Sequence, residues 1–487
     1  MSQNANQRGN QFPERENKSP FGIRDKIGYM TGDLANNLTF QFASLFLMVF
    51  YTEVWGVNPA IVGTLFAVSK VIDAVTDVTM GVIVDKVPAT EEGKFRPWIK
   101  RIMGPIAIAS FLMYQTGLAD ASLTVKVVYM YITYIIWGSI TYTAINIPYG
   151  SMASALTPNP NERTELSIWR TRGQVLGQMI VGVVTPLLIY TEGNRVKQDA
   201  TFTWVAGIIS VLTLVFYYIT YKFTTERVEI EEVGGAAEQG GIMGLFRKFG
   251  RLLSQRSLLS ITGSSVLLLM TMILMSSMFN YLFPHFYNYS DAIAIVNFIN
   301  PIIVFIIVSP LASKFGRELG KKETAISGLF LGALVYFVVY FIRPENVFVY
   351  IAITSIGYAG LSVFNALVWA MITDVIDDIE VKSHTRDDGT VYAINSFARK
   401  IGQALAGLVA GYALSFTGYQ TGAGEEMITQ TADTISGIFT ISTLGPAVGF
   451  LITALFIMFV YPLNKDEALE NQKILEERRM SSMEDES

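Results

Sequence analysis

The sequence predicts an all-α membrane protein of about twelve spanning helices, set in two bundles of six, with both termini in the cytoplasm. Three observations carry that prediction. Hydrophobic residues make up 51% of the 487-residue chain and charged residues 16%, where a soluble domain holds about 25% charged residues. The apolar residues fall in blocks of about 18 or more, the length that crosses a bilayer. Lysines and arginines gather in alternate loops, as cytoplasmic loops require.

The first six spans are expected at residues 27–51, 59–84, 99–118, 125–156, 168–190 and 202–223. The second six are expected at 258–286, 292–311, 325–341, 347–374, 390–414 and 437–463. This divides the chain into a cytoplasmic tail (1–20), a six-helix bundle (21–223), a cytoplasmic central loop (224–256), a second bundle (257–463) and a charged cytoplasmic tail (464–487). The first tail is polar and lacks the apolar core of a cleaved signal peptide. The last reads as a solvated helix or disorder. Within the central loop, Ile242 to Arg256 alternates apolar and basic residues at helical spacing, as a helix lying on the inner membrane surface would.

The halves resemble each other. In the first, GVIVDK from Gly81 to Lys86 is followed by Gly93 and Lys94; in the second, PLASKFGRELGKK runs from Pro310 to Lys322. Both are basic, glycine-punctuated loops between the second and third helices of a set of six. Six plus six with a long cytoplasmic connector is the architecture of the major facilitator transporters.

Composition also excludes functions. There is no cysteine, so disulfides, thiol catalysis and Cys-ligated metals are out. The two histidines, His285 and His384, cannot make a His-rich metal site. No nucleophile–base set suggests an enzyme. A net charge of -5 with short basic loops gives no reason to expect nucleic acid.

The charged residues inside the spans point to the chemistry. Asp73 and Asp77 lie four residues apart in span two, on one face of a helix. Two acids at membrane depth cost about 2.5 kcal/mol or more each on insertion scales. They therefore need a cation, which is a fixed Lys or Arg, a proton or a transported ion. Lys70, one turn earlier, is one candidate. Asp33 in span one reads either as a helix cap or as a residue facing a polar cavity. Asn146 precedes Pro148 at a place where span four is expected to kink. Arg170 and Arg172 serve span five as inside-positive anchors or as site residues. Lys400 lies about 15 Å into span eleven, too deep for easy snorkelling. Asp374, Asp377, Asp378 and Glu380 read as an acidic loop after span ten. Asp85, Lys86 and Arg96 are expected at a cytoplasmic gate. Tyr142, Tyr149, Phe364 and Trp369 are candidate aromatic stacking surfaces, though at helical spacing in a membrane each reads equally as packing.

Several motifs agree in order with one family: GKFRPW at Gly93, DAVTD at Asp73, NIPYGSM at Asn146, ERTELSIWR at Glu162 and DDGTVYAINSFARKIGQ at Asp387. Over nearly the whole chain between its tails, the sequence resembles the glycoside–pentoside–hexuronide:cation symporters, and within them the melibiose-carrier-like pattern. The resemblance implies a major facilitator fold in a bacterial plasma membrane. It implies a sugar carried together with H+, Na+ or Li+ by alternating access, the sugar binding between the bundles. Residue by residue, it makes Asp73, Asp77, Thr141 and Lys400 the cation-coupling set. It makes Asp33, Asn146, Tyr149, Arg170 and Trp369 the substrate set.

Two positions depart from the pattern. Asn146 stands where the melibiose-type pattern has an acid, and Gly150 where it has a tryptophan. Loss of an acid favours H+ over Na+, because a hard cation wants several charged oxygens, whereas a proton needs one carboxylate. The partners expected are a sugar, the coupling ion and the bilayer. The chain reads as a monomer with no cofactor beyond that ion. The rival readings are a sugar exchanger, or a carrier of lysolipids or organic anions.

Overall fold

The computed structural model describes residues 19–228, 250, 255–383, 388–421 and 429–485. Among these residues the chain is helical, with no strand beyond two isolated bridges. It divides into two compact units at about the middle of the sequence.

The first unit holds α1 (Ile23–Val54), α2 (Pro59–Lys86), α3 (Arg96–Leu112), α4 (Leu123–Leu156), α5 (Pro160–Ile189) and α6 (Thr201–Phe223). Local chemistry starts these helices. Asn58 and Asn159 accept from backbone N–H groups two residues on, and a proline follows each at the first helical position. α1 packs against α5 and α6, α3 against α6, and α2 against α4. Close approach of α1 and α5 depends on Gly173, where a β-carbon would lie 2.2 Å from the Met30 carbonyl oxygen.

The second unit holds α7 (Arg256–His285), α8 (Ala292–Glu318), α9 (Lys321–Ile342), α10 (Val347–Ser383), α11 (Asp388–Phe416), α12 (Ala432–Val460) and α13 (Lys465–Asp485). α7 lies against α11 and α12, and α9 against α10 and α12. Among the described residues, nine helices are long and apolar enough to cross a membrane: α1, α4 to α10 and α12. The 17-residue α3, and α2 and α11 with their internal charges, stand where spans three, two and eleven were expected. Large apolar side chains such as Phe305, Phe341 and Phe416 are 80%, 78% and 86% exposed, a surface that suits lipid and not water.

Three expectations change. Residues 224–228 were placed in the central loop, yet they are folded into the first unit. Glu226 is buried there and accepts from the backbone N–H groups of Lys94, Phe95 and Arg96 at 2.7, 2.9 and 2.7 Å. It thus closes the N-terminus of α3, where a carboxylate meets the positive end of the helix dipole. Gly93 makes room for it, with φ +119° and a carboxylate where a β-carbon would sit. The neighbouring Arg227 forms a two-pronged pair with Asp25 at 3.0 and 2.9 Å. It also donates to the carbonyls of Ser19, Pro20, Leu156 and Thr225.

Second, α10 continues to Ser383, so Asp374 and Asp378 belong to a helix rather than a loop. Asp374 pairs with Lys321 at 2.6 Å, and Asp378 with Lys382 at 2.8 Å. Third, of the two readings of the charged tail the helix is the one found, largely exposed but not wholly so. α13 buries Leu475, and its Lys465 donates to the Glu318 carbonyl at 2.8 Å. The amphipathic stretch 242–256 lies outside the described residues except for Gly250, Gln255 and Arg256, and so does His384.

Candidate functional site

Two polar clusters sit inside the first unit. The first is built on α2 and α4. Between Ile136 and Tyr142, α4 takes a π-helical path, and Pro148 follows in its next segment. A π segment shifts the face that later residues present. Here Ser139 and Thr143, four apart, meet Asp73 and Asp77, also four apart. Ser139 Oγ donates to Asp73 Oδ1 at 2.5 Å, and Thr143 Oγ1 to Asp77 Oδ1 at 2.7 Å. Asp73 is buried, and Lys70 Nζ reaches its other oxygen at 2.7 Å. A fixed lysine therefore meets one of the two acids.

Thr141, expected beside this pair, turns its hydroxyl to the Trp137 carbonyl of its own helix at 2.9 Å. The structure brings Ser139 and Thr143 to the acids in its place. Neither was singled out from the sequence, since Thr141 was the hydroxyl the resemblance implied and a π segment leaves no sequence signal.

The second cluster joins α1, α4 and α5. Asp33 is the eleventh residue of α1 counted from Ile23 (33 − 23 + 1), so it is no helix cap. Arg170 Nε donates to its Oδ1 at 2.9 Å, and Asn37 Nδ2 to its Oδ2 at 3.0 Å. Arg170 rather than Arg172 makes this pair; Arg172 lies over the Trp169 ring. The Arg170 guanidinium is 5.4 Å from the centre of the Tyr149 ring. Tyr149 is fully buried, stacks on Tyr29 at 4.8 Å and donates to the Tyr29 carbonyl at 2.6 Å. Its ring is thus a floor under Arg170. Arg170 remains 40% exposed at its side chain, while Asp33 is buried. The exposed side of the guanidinium is what a ligand could reach. Asn146 is half-buried within the helical segment that carries Pro148. Tyr142 packs beside Phe40 and Trp137. Asn36, which the sequence did not flag, accepts from Tyr217 Oη at 2.5 Å in the same core.

At the expected gate, Arg96 donates to the Tyr221 carbonyl at 2.9 Å and the Glu92 carbonyl at 3.0 Å. Both partners lie in its own unit. Lys86 ends α2 and is exposed. The side chain of Asp85 lies outside the described set.

In the second unit, Lys400 is half-buried on α11 and Trp369 is 44% exposed on α10. Phe364 is fully buried, which makes it a packing residue. Asn395 and Arg399 of α11 belong to the DDGTVYAINSFARKIGQ motif. Arg399 lies over Trp369, its guanidinium 5.6 Å from the ring centre.

The family model for MFS/sugar transport proteins matches residues 28–465. The chain is 30% identical over 454 residues to an uncharacterized symporter, YjmB, of Bacillus subtilis (strain 168), covering 93% of this chain and 95% of the relative. It is 28% identical over 466 residues to the glucuronide carrier protein homolog of Escherichia coli (strain K12), covering 94% and 98%. Among solved structures, a D-xylose-proton symporter shares the fold with a TM-score of 0.64 at 14% identity, covering 90% of this chain and 97% of that one.

Proposed function

The chain belongs to the MFS/sugar transport protein family, and from that membership we propose that it is a cation-coupled sugar symporter working by alternating access. It is a multi-pass membrane transporter and not an enzyme. Its setting is a bacterial plasma membrane, in keeping with its bacterial relatives. Its substrate is a glycoside, pentoside or hexuronide.

The observation that supports coupling on α2 is the paired ladder of Asp73 with Ser139 and Asp77 with Thr143. A hydroxyl can donate to a carboxylate and accept from a carboxylic acid, so it serves both protonation states. The Lys70 ion pair offsets the charge of Asp73, and we assign the protonation that changes with transport to Asp77, beside the Thr143 hydroxyl. Proton coupling follows from this arrangement more readily than Na+ coupling. A Na+ shell would draw on the same four oxygens but would meet the positive charge of Lys70. Asp33 and Arg170 hold the sugar, the carboxylate accepting from hydroxyls and the guanidinium donating to ring or hydroxyl oxygens.

The test is uptake of labelled glycosides, pentosides and hexuronides into energised membrane vesicles. Accumulation of at least one of them above its outside concentration is expected. Equilibration without accumulation across the whole panel would leave a facilitator, and no movement of any sugar would remove the reading.

A further inference from the structure

Where α8 turns into α9 and α12 passes into α13, the second unit encloses a cavity of about 230 Å³. Its lining carries four cationic side chains, Arg317, Lys321, Lys322 and Lys465, and one carboxylate, Asp374. The carboxylate takes Lys321, at 2.6 and 2.8 Å. Lys322 and Lys465 are held differently. Lys322 Nζ donates to the Tyr461 carbonyl at 2.7 Å, and Lys465 Nζ to the Glu318 carbonyl at 2.8 Å. A carbonyl steadies an ammonium without cancelling its charge, and an ammonium has three donors to give. Arg317 adds an exposed guanidinium. Glu323, Asp466 and Glu467 stand on the first turns of α9 and α13, and none of them lines the cavity.

Cations gathered in one cavity repel one another, and an anion between them turns that repulsion into attraction. The start of α9 acts in the same sense. Its cap residue, Gly320, lines the cavity and brings no side chain to the leading N–H groups, so the positive end of the helix dipole adds to the lysines. The volume falls below the range of about 300–1,000 Å³ usual for drug-sized ligands, so the fit is to one small group. A phosphate suits it, because its oxygens accept both from a guanidinium fork and from ammonium groups.

The place of the cavity names the source of that phosphate. It lies at one shared end of α8, α9 and α12, three helices long and apolar enough to cross a membrane, on the side that the loop charges assign to the cytoplasm. Leu319 and Leu469 beside it are exposed. That is the level of the lipid headgroups, where basic pockets between spanning helices take anionic phospholipids. We propose that this cavity is a phosphate-binding site and that its ligand is the headgroup of an anionic phospholipid. Bound there, the phosphate ties the start of α13 to the turn between α8 and α9.

The experiment is equilibrium binding of a fluorescently labelled phosphatidylglycerol to purified full-length protein in detergent micelles, with phosphatidylcholine carrying the same label as the comparison. Wild type is expected to bind phosphatidylglycerol saturably and at least about tenfold more tightly, because the choline ammonium of the other lipid meets the cations of the cavity. Arg317→Gln and Lys465→Gln should each weaken phosphatidylglycerol by at least about tenfold, the loss of one charge-assisted contact. Both side chains are exposed, so neither change removes buried packing. Lys473→Gln makes the same change of net charge on an exposed part of α13 outside the cavity, and binding should stay within about twofold of wild type. Inorganic phosphate, added at constant ionic strength, should not displace the lipid; displacement would overturn the lipid as the source and leave a soluble phosphate in the same site. Equal losses in Arg317→Gln, Lys465→Gln and Lys473→Gln would reduce the effect to diffuse surface charge and overturn the site. No loss in the first two, or no preference for phosphatidylglycerol in wild type, would overturn it as well. The sugar-transport reading stands under each of these results.

Discussion

Lys70 Nζ lies 2.7 Å from Asp73 Oδ2, one turn away on the same helix, so the two acids of α2 are not equivalent. One is tied to a fixed cation and a serine; the other receives a threonine hydroxyl. The Lys70 contact thus sets Asp73 apart from Asp77. Stability and coupling should separate accordingly.

Lys70→Met leaves the Asp73 carboxylate buried without its cation, which should cost about 3–5 kcal/mol of stability. Thermal unfolding of the purified protein should show a lower Tm. The double variant Lys70→Met with Asp73→Leu should recover most of the loss, because a well-packed apolar pair replaces a buried ion pair at little cost. A single variant as stable as wild type would show that the pair carries no weight.

Asp77→Asn should abolish accumulation against a gradient yet still exchange sugar for sugar across the membrane. Membrane insertion should match or exceed wild type, since the variant buries one charge fewer. If Asp77→Asn concentrates sugar as wild type does, the coupling group lies elsewhere.

Asp33→Ala removes a carboxylate that accepts from Arg170 and Asn37. It should weaken equilibrium sugar binding by about 1.5–3 kcal/mol, the range for hydrogen bonds to charged groups. Arg170→Ala should do the same and also uncover the Tyr149 ring. Unchanged affinity in either variant would take that residue out of the substrate site.

Glu226→Ala strips the acceptor from three backbone N–H groups at the start of α3. The loss of a charged cap with buried donors should cost about 1–3 kcal/mol, read as a lower Tm with sugar affinity unchanged. A Tm within experimental error of wild type would mean that water takes over the cap.

Much of this was legible in the chain. Apolar blocks marked the helices, and Asp73, Asp77 and Arg170 stood out because charge in a spanning helix is expensive. Asp33 was legible as a residue but not as a role, since only the start of α1 at Ile23 decides between a cap and a buried acid. The partners were harder to read. Thr141 came from the family pattern, and a π segment, which leaves no trace in apolar periodicity, is what turns Ser139 and Thr143 to the acids. Glu226 looks like any loop acid; its contact with residues 130 to 132 positions earlier exists only once the bundle has formed.

Proton coupling is tested most directly by the identity of the driving ion. Sugar uptake is measured in proteoliposomes with an imposed pH gradient, inside alkaline, in Na+-free buffer, and again with an inward Na+ gradient at constant pH. Accumulation is expected in the first condition, with its loss in Asp77→Asn, and little or none in the second. Accumulation driven by Na+ alone would contradict the proton assignment made from Lys70, Asp73 and Asp77.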